Sequence, residues 1–400
     1  MNHELLQEIE RGTRSGLLKK RIITYLYNGS STIPDLAKEL DLSIPTITKL
    51  INEMCEGGYV NEYGKLETTG GRHPNLYGLN PHSGYFIGVD VNKFGINIAL
   101  INFCGETVKE GMNLPYKFEN TEEALEQLCE LARHFIDDTH IDPDKIMNIC
   151  FNISGRVNPE LGYSYSIFNF SEKALAEVLG EKLGHPVCID NDTRAMTYGE
   201  YMKGCVTNEK NIIFVNVSWG LGIGIIIDGK IYTGKSGFSG EFGHVNVFDN
   251  EIICHCGKKG CLETEASGSA AHRILLQRIQ NGESSILSDR AKATRPPLTL
   301  AEIIEAVNKE DFLCIEVVEE VGQKLGRYIA GLINIFNPEL VIIGGNMSLT
   351  EDYLTQPIKT AVRKYSLNMV NKDSAIVTSK LKDKAGVVGA CMMARSRLFE

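Results

Sequence analysis

The sequence contains no apolar run that approaches the length of a membrane span, which requires about 20 consecutive, mostly apolar residues. Basic residues are not in excess either, because the chain has 41 Lys and Arg but 51 Asp and Glu, which gives a formal net charge of −10. This charge argues against a protein that binds polyanions over its whole surface. No low-complexity segment is present. What remains is a folded chain of roughly two or three domains, since 400 residues supply ample apolar content for hydrophobic cores.

The 11 cysteines form no even framework, and no secretory leader is recognisable at the N-terminus. Because disulfides persist in oxidising compartments, this pattern predicts free thiols and a cytoplasmic location. Most of these cysteines are interpreted as buried thiols that pack as small apolar side chains.

One group of cysteines has a different pattern, since three lie within eight residues and a histidine precedes them by nine intervening residues. Thiolate and imidazole are the ligands of closed tetrahedral zinc sites, and glycines between the last two cysteines permit a tight turn. The predicted ligands of a structural Zn²⁺ ion are His244, Cys254, Cys256 and Cys261. His255, between the first two cysteines, is the alternative fourth ligand.

The first 80 residues have the pattern of a winged helix-turn-helix domain. Apolar residues recur at helical spacing, and Thr32 and Ser43 are placed as caps of two short helices. Two such helices separated by a tight turn, with short strands after them, are typical of DNA-binding domains of this class. The second helix is the predicted recognition helix, with an outer face formed by Thr46, Thr48, Lys49 and Asn52.

The charge of this domain leaves a second interpretation open, because residues 1–80 carry nine Lys and Arg against ten Asp and Glu. Net charge therefore gives no support to DNA binding, and phosphate contacts would depend on local placement. A helical dimerisation or protein-binding module is the alternative. A further helix is predicted before the two capped helices, with Leu17, Ile22 and Leu26 at helical spacing. Lys19, Lys20 and Arg21 are interpreted as its solvated face.

After residue 80 the pattern changes to alternating strands and helices of an α/β protein. Two apolar stretches separated by a short turn recur about 125 residues later, as 85–91 with 95–101 and as 211–217 with 222–227. This recurrence predicts two lobes of related topology. A long helix is predicted at about 311–336, and residues 281–299 are either an exposed loop or a lid.

The sequence Gly-Glu-Phe-Gly-His at 240–244, followed by Cys-His-Cys-Gly-Lys-Lys-Gly-Cys-Leu-Glu-Thr-Glu-Ala-Ser-Gly at 254–268, resembles the signature of the ROK family. That family comprises bacterial sugar-responsive repressors and sugar kinases. The resemblance implies a two-lobed actin-like (ribonuclease H-like) sugar kinase fold at 81–400, after a winged helix-turn-helix domain at 1–80. It also implies that a zinc knuckle at 244–261 braces the sugar pocket, and that the glycine-arginine run containing Arg72 approaches DNA.

Asp190-Asn191-Asp192 places polar residues at a strand end before a helix, where open α/β sheets commonly bind ligands. Asn-x-Asp sequences are also common helix caps, and the residues alone leave both interpretations open. The resemblance implies that Asp192 is the catalytic base of a kinase, or hydrogen-bonds a sugar hydroxyl in a protein that performs no chemistry. The other sugar-contact positions implied by the resemblance are Gly155, Asn169, Asn191, Glu241, His244 and Glu263. His244 then has two roles, with one ring nitrogen on zinc and the other on a sugar hydroxyl or a neighbour.

The predicted nucleotide site departs from that of the ROK kinases. In the first turn, Asn92-Lys93-Phe94 replaces small residues, so side chains occupy the space that phosphate oxygens need. The second turn keeps its glycines but carries Trp219. Asn337-Pro338 and Gly344-Gly345-Asn346 resemble the adenosine-side strand and turn of the kinases, and strand and helix packing is the alternative explanation of these glycines. This pattern predicts a degraded phosphate site, so ATP is not expected as a cofactor.

The leading hypothesis is a sugar-responsive DNA-binding transcriptional regulator, acting as a repressor of carbohydrate-utilisation genes. Its expected partners are operator DNA and a sugar or sugar-phosphate effector in the cleft between the lobes, and half-site geometry predicts a homodimer or a dimer of dimers. No membrane partner is expected. The alternatives are an ATP-dependent sugar kinase with Asp192 as catalytic base, and a sensor that acts through a protein partner.

Overall fold

The computed structural model describes residues 4–65, 74–92, 95–292 and 297–399, and the chain forms two compact units. Residues 1–190 and 390–400 belong to unit 1, and residues 191–389 belong to unit 2. The chain therefore passes from one unit to the other twice, after Asp190 and after Gly389. Each unit contains a hydrophobic core of its own.

Unit 1 begins with four helices and a three-stranded sheet in the order β1-β3-β2. The elements are α1 (Glu4–Glu10), α2 (Arg14–Leu26), β1 (Ser31–Thr32), α3 (Ile33–Glu39), α4 (Ile44–Glu56), β2 (Val60–Lys65) and β3 (Asn75–Leu79). The predicted caps are confirmed, because Thr32 accepts a hydrogen bond from the Asp35 amide and Ser43 accepts one from the Thr46 amide. The sequence pattern did not predict α1.

Lys19 on α2 is buried, so its interpretation as part of a solvated helix face is wrong. Its ammonium nitrogen lies 2.8 Å from Glu8 on α1 and 2.9 Å from Glu53 on α4. Burial by itself lowers the pKa of Lys19, but hydrogen bonds and charge from the two carboxylates raise the pKa by more, so the net shift is upward. One charged side chain thus joins three helices of the domain.

The remainder of unit 1 is a five-stranded sheet covered by helices. Its elements are β4 (Tyr85–Asn92), β5 (Gly95–Asn102), β6 (Thr107–Leu114), α5 (Glu122–Asp137), β7 (Ile146–Ile153), β8 (Val157–Asn158), β9 (Tyr163–Ser164), α6 (Leu175–Leu183) and β10 (Val187–Asn191). The strand order is β10-β7-β4-β5-β6, in which β5 pairs antiparallel with β4 and β6, and β7 pairs parallel with β4. Leu128 of α5 and Leu179 of α6 are fully buried in its core.

Unit 2 is a second five-stranded sheet with a larger set of helices. Its elements are α7 (Asp192–Lys203), β11 (Ile212–Val217), β12 (Leu221–Ile227), β13 (Lys230–Ile231), α8 (Gly268–Gln280), α9 (Ser288–Lys292), α10 (Leu300–Asn308), α11 (Phe312–Phe336), β14 (Leu340–Gly344), α12 (Asp352–Tyr365), α13 (Asn368–Asp373), β15 (Ala375–Thr378) and the first residues of α14 (Ala385–Phe399). The segment predicted as a loop or lid contains α9, and Ser285 and Ile286 donate to the Asp311 carboxylate.

The two large sheets share one plan. In unit 2 the order is β13-β12-β11-β14-β15, with antiparallel pairing of β11, β12 and β13 and parallel pairing of β11 with β14. The same succession of pairings occurs for β4, β5, β6 and β7 in unit 1. The prediction of two lobes with related topology is therefore confirmed.

Among the helices of the described ranges, none has the length and apolarity needed to cross a membrane.

Within unit 1, the end of α14 packs against the helical domain. Phe103 lies 5.5 Å from Phe399 and 6.0 Å from Tyr59, measured between ring centroids. The Thr24 hydroxyl donates to the Phe399 carbonyl at 3.1 Å. The last turn of α14 thus contacts α2 directly, and it contacts Tyr59, just before β2, through the ring of Phe103.

Candidate functional site

The four predicted zinc ligands converge in unit 2. Their ligand atoms all lie within 4.8 Å of one another: His244, Cys254, Cys256 and Cys261. The Cys254 Sγ is 3.6 Å from the His244 Nδ1, and the Cys256 Sγ is 3.6 Å from the Cys261 Sγ. With Zn–S bonds of about 2.3 Å, a tetrahedral site places two sulfurs about 3.8 Å apart, so these spacings suit one small ion.

The backbone of this knuckle turns at Gly257 and Gly260, whose φ angles are 85° and 73°. Such left-handed angles favour glycine because a Cβ atom would be strained there. Burial raises the pKa of the Cys254 thiol to about 12. A bound cation would be required to make this side chain a thiolate ligand at neutral pH.

His255, the alternative fourth ligand, faces a carboxylate. Its Nδ1 lies 2.8 Å from the Glu263 Oε1, and its side chain is 69% exposed against 22% for His244. The second oxygen of Glu263 accepts from the Leu221 amide at 3.0 Å. Burial by itself raises the pKa of Glu263, but these hydrogen bonds lower the pKa by more, so the carboxyl group is ionised. Of the two histidines, His244 is the better placed to complete the cysteine group.

Asn191 and Asp192 lie where β10 ends and α7 begins. The Asn191 Oδ1 accepts from the Arg194 amide at 3.1 Å, which confirms that this residue caps a helix. The Asp192 Oδ1 accepts from the Asn191 side-chain amide at 3.0 Å and from the Thr193 amide at 2.7 Å. The carboxylate is thus fixed and half-buried in the first helical turn, where the helix dipole favours negative charge.

Glu241 and His244 are brought together by a short 3-10 turn, Phe242–His244. The Glu241 Oε2 lies 3.7 Å from the His244 Nε2, whereas the other ring nitrogen faces Cys254. A side chain at Gly243 would collide with the first carbonyl of β12, so glycine is needed where the turn packs on the sheet. The imidazole therefore lies between the cysteine group and an exposed carboxylate, an arrangement compatible with its two predicted roles.

Gly155 and Asn169 belong to unit 1, in the segment that carries β8 and β9. Gly155 has a φ of 96°, and a side chain at this position would collide with Ser166. Asn169 follows Phe168, whose φ of 55° is uncommon for a residue other than glycine. The other five predicted sugar-contact residues lie in unit 2.

The structure describes the second predicted phosphate turn completely but the first one only in part. Asn92 is the last residue of β4, and Lys93 and Phe94 lie outside the described residues, so the degraded first turn stays a prediction. In the second turn, the ring of Trp219 lies 5.4 Å from the ring of His272. A large side chain thus occupies the second turn.

Glycines near the second turn pack closely against neighbouring side chains. A Cβ atom at Gly224 would collide with Thr197 on α7, and one at Gly345 would collide with Asn216. Asn216 in turn accepts from the Ser218 hydroxyl at 2.7 Å and donates to a threonine of α7. Packing therefore accounts for these glycines without a bound nucleotide, which supports the packing interpretation.

The predicted DNA-contact residues lie on α4, except Arg72, which lies outside the described residues. The Thr46 hydroxyl is 2.8 Å from the hydroxyl of the N-cap residue. The Thr48 hydroxyl donates to the backbone carbonyl four residues earlier. Lys49 is 78% exposed. Local hydrogen bonds thus engage both threonines, and the exposed Lys49 ammonium lies 3.8 Å from the Glu53 carboxylate one turn further along α4.

The sequence reasoning missed two exposed residues in the first turn of α4, Ile44 and Pro45. The sequence could have indicated their exposure, because they lie outside the apolar stripe of that helix. This stripe contains Ile47, Leu50 and Ile51.

Two family models match the chain. The Winged helix-turn-helix DNA-binding model matches residues 18–61, and the ROK family model matches residues 86–397. The chain belongs to the ROK family. The predicted fold class is thereby confirmed, as a winged helix-turn-helix domain followed by the actin-like, two-lobed α/β fold of ROK proteins.

ROK relatives match the chain over nearly its whole length. The Xylose repressor of Caldicellulosiruptor bescii is 32% identical over 402 residues, which cover 100% of this chain and 98% of that protein. The N-acetylglucosamine repressor of Escherichia coli O157:H7 is 28% identical over 370 residues, covering 91% and 88%. A crystal structure of a ROK family transcriptional regulator, described as a homolog of the E. coli MLC protein, has a TM-score of 0.80 at 27% identity and covers 96% and 97%.

Proposed function

We propose that this ROK protein is a sugar-responsive DNA-binding transcriptional repressor of carbohydrate-utilisation genes. The observation that carries the proposal is the match to the Xylose repressor over the entire chain, since it includes the winged helix-turn-helix domain as well as the sugar kinase fold. The capped recognition helix and the exposed Lys49 support DNA as the partner of the first domain.

The effector in this proposal is a sugar or sugar phosphate of the kind named for the relatives, such as xylose or N-acetylglucosamine. Carboxylates accept hydrogen bonds from sugar hydroxyls, and Asp192 and Glu241 supply two of them. Asn191, His244, Glu263, Gly155 and Asn169 are the further proposed contacts. Glu263 contributes less directly than the others, because both of its oxygens already accept hydrogen bonds from the protein.

A structural zinc ion is part of the proposal. Three cysteines and His244 supply the donor set of a closed tetrahedral site, and their spacings fit one ion. When bound, the ion would neutralise thiolate charge and fix the knuckle. Since the second nitrogen of His244 faces Glu241, the same ligand would orient a sugar-contact carboxylate.

Coupling between effector and operator requires that the sugar bind one conformation of the protein more tightly than another. The chain passes between the units immediately before Asn191 and Asp192, and again inside α14, whose last turn contacts α2. In this proposal, a change in the position of α14 reaches the DNA-binding domain through the contact of its last turn with α2. We further propose a homodimer or a dimer of dimers, because two-fold related domains match two operator half-sites.

The rival function is an ATP-dependent sugar kinase, favoured by the placement of Asp192 in the first turn of α7. A carboxylate there is suited to take a proton from a sugar hydroxyl. The bulky second turn with Trp219 argues against it. Sugar-dependent ADP release that is lost in Asp192→Asn would establish the kinase.

Fluorescence anisotropy of labelled DNA that flanks the protein's own gene tests the repressor. The full chain is titrated onto this DNA and onto a scrambled duplex, with xylose, N-acetylglucosamine and their phosphate esters added in turn. We expect tight binding that weakens steeply with salt and changes with one sugar. Equal affinity for both duplexes, with and without every sugar, would reject the repressor and direct the work to the ADP assay.

A further inference from the structure

The first turn of the recognition helix offers few backbone donors to DNA. Ser43, the N-cap of α4, accepts from the Thr46 amide through its hydroxyl oxygen. The intervening Pro45 has no N–H group. Helix N-termini usually present several such groups to phosphate oxygens or base edges. This helix therefore begins with a surface that is poor in hydrogen-bond donors.

Side chains in the same turn reinforce this apolar character. Ile44 is 53% exposed, whereas the other isoleucines of α4, Ile47 and Ile51, are fully buried. The hydroxyl of Thr46 is paired with the Ser43 hydroxyl, and the hydroxyl of Thr48 donates to the Ile44 carbonyl. An exposed isoleucine is thus the most prominent side chain of the first turn of the recognition helix, and in helix-turn-helix proteins the N-terminal residues of that helix contact base edges in the major groove.

We propose that Ile44 is a specificity-determining residue that recognises the 5-methyl group of a thymine in each operator half-site. Thymine is the base that presents a methyl group in the major groove, and apolar side chains discriminate it by burying that group. Lys49, more than one helical turn further along α4, supplies charge for phosphate contact or for a guanine edge. The recognition helix therefore combines apolar recognition in its first turn with polar recognition beyond it.

The test begins with a duplex that the full-length protein selects from a random library. Each thymine of the selected duplex is replaced in turn by deoxyuridine, which removes the methyl group and leaves every hydrogen-bonding atom. We expect one thymine in each half-site at which the replacement weakens binding about fourfold, which corresponds to about 0.8 kcal/mol for one buried methyl group. Replacement in both half-sites should then weaken binding about 16-fold.

Three variants connect the methyl group to the side chain. Ile44→Ala should bind the thymine and deoxyuridine duplexes with equal affinity. Leu17→Ala is the matched control, because Leu17 is a 48% exposed apolar residue on α2, and it should keep the fourfold difference. Lys49→Ala should weaken binding to both duplexes equally and reduce the salt dependence.

Melting curves that match the wild-type protein show that the variants are folded. Deoxyuridine replacements that are neutral at every position in the wild-type protein would overturn the proposal. So would an undiminished fourfold difference in Ile44→Ala. Uniform loss of binding by folded Ile44→Ala, to selected and random duplexes alike, would assign the residue to a protein contact instead and also overturn it.

Discussion

The guanidinium carbon of Arg395 lies 3.8 Å from the centroid of the Tyr27 ring, within unit 1. Arg395 belongs to the last described helix and is buried, and Tyr27 follows α2 of the DNA-binding domain. A desolvated cation over an aromatic face stabilises by about 2 kcal/mol. This pair therefore holds α14 and the winged helix-turn-helix domain together.

Replacement of Tyr27 by leucine should lower the free energy of unfolding by about 2 kcal/mol, because Arg395 then loses its aromatic partner in a buried setting. Tyr27→Phe keeps the ring face and should retain most of the stability. Urea denaturation of the full chain measures both. Tyr25→Leu, in the last turn of α2, is the control, and a loss there as large as in Tyr27→Leu would remove the special role of the pair.

Cys256→Ser should reduce the zinc content, the melting temperature and the sugar affinity together. The physical reason is that His244 faces the cysteine group with one nitrogen and Glu241 with the other. Elemental analysis, thermal melts and calorimetric sugar titration give the three values. Cys55→Ser, at a half-buried cysteine of the first domain, should leave all three unchanged. Normal sugar affinity in a zinc-free Cys256→Ser protein would refute the coupling.

Glu241→Gln should separate sugar affinity from zinc content, which Cys256→Ser lowers together with the melting temperature. Loss of one charged acceptor costs about 1.5–3 kcal/mol, so sugar affinity should fall roughly 10-fold to 100-fold. The zinc content should stay at the wild-type value, because Glu241 is not among the predicted ligands. His244→Gln should reduce both quantities. If Glu241→Gln released zinc as readily as His244→Gln, the division of roles between the two ring nitrogens would be wrong.

Lys19 should make stability depend on pH in the alkaline range. Its pKa is raised in the folded protein, so its contribution is complete below the ordinary value of 10.5 and is lost as the pH rises through the folded value. Lys19→Met should cost about 1–2 kcal/mol at pH 7, since two carboxylates lose their partner. The difference in unfolding free energy between wild type and variant, measured from pH 7 to 11, should shrink at the upper end. A constant difference would show that packing alone explains the loss.

Trp219 is the single tryptophan of the chain, so intrinsic fluorescence reports on the second turn. Addition of Mg·ATP should leave the emission unchanged, because the tryptophan ring and its histidine neighbour occupy this region. The cognate sugar should change the emission if the turn responds to the effector. A saturable response to ATP would contradict the predicted loss of the phosphate site and support the kinase.

The features that the sequence predicted are those set by local rules. Ser43 was recognisable as a cap because capping depends on residues within one turn, and the repeated strand pairs followed from apolar runs. The convergence of the four predicted zinc ligands was recognisable for a similar reason, since three of them lie within eight residues. In the same way, the structure confirms Asn191 as a helix cap, one of two interpretations that the pattern left open.

Two of the features that were missed depend on residues far apart in the chain, and a third is a short helix. Lys19 was assigned to a solvated face because its partners, Glu8 and Glu53, come from two other helices. The hydrogen bond from the Leu221 amide to Glu263 joins residues 42 positions apart, so no pattern in the neighbouring sequence predicts it. Helix α1 is short and was not recognised by its periodicity. Arg72 remains a prediction from family resemblance, because it lies outside the described residues.

The contact of Lys19 with both Glu8 and Glu53 has a consequence for genetics. Glu53 belongs to the recognition helix, and Glu8 belongs to α1, which carries none of the predicted operator contacts. An allele that changes Glu8 removes one partner of Lys19 and would alter the position of the recognition helix, so a reporter gene would be derepressed. In a screen for lost repression, it would be scored beside true operator-contact alleles. Only the purified proteins, compared for melting temperature, would tell the two groups apart.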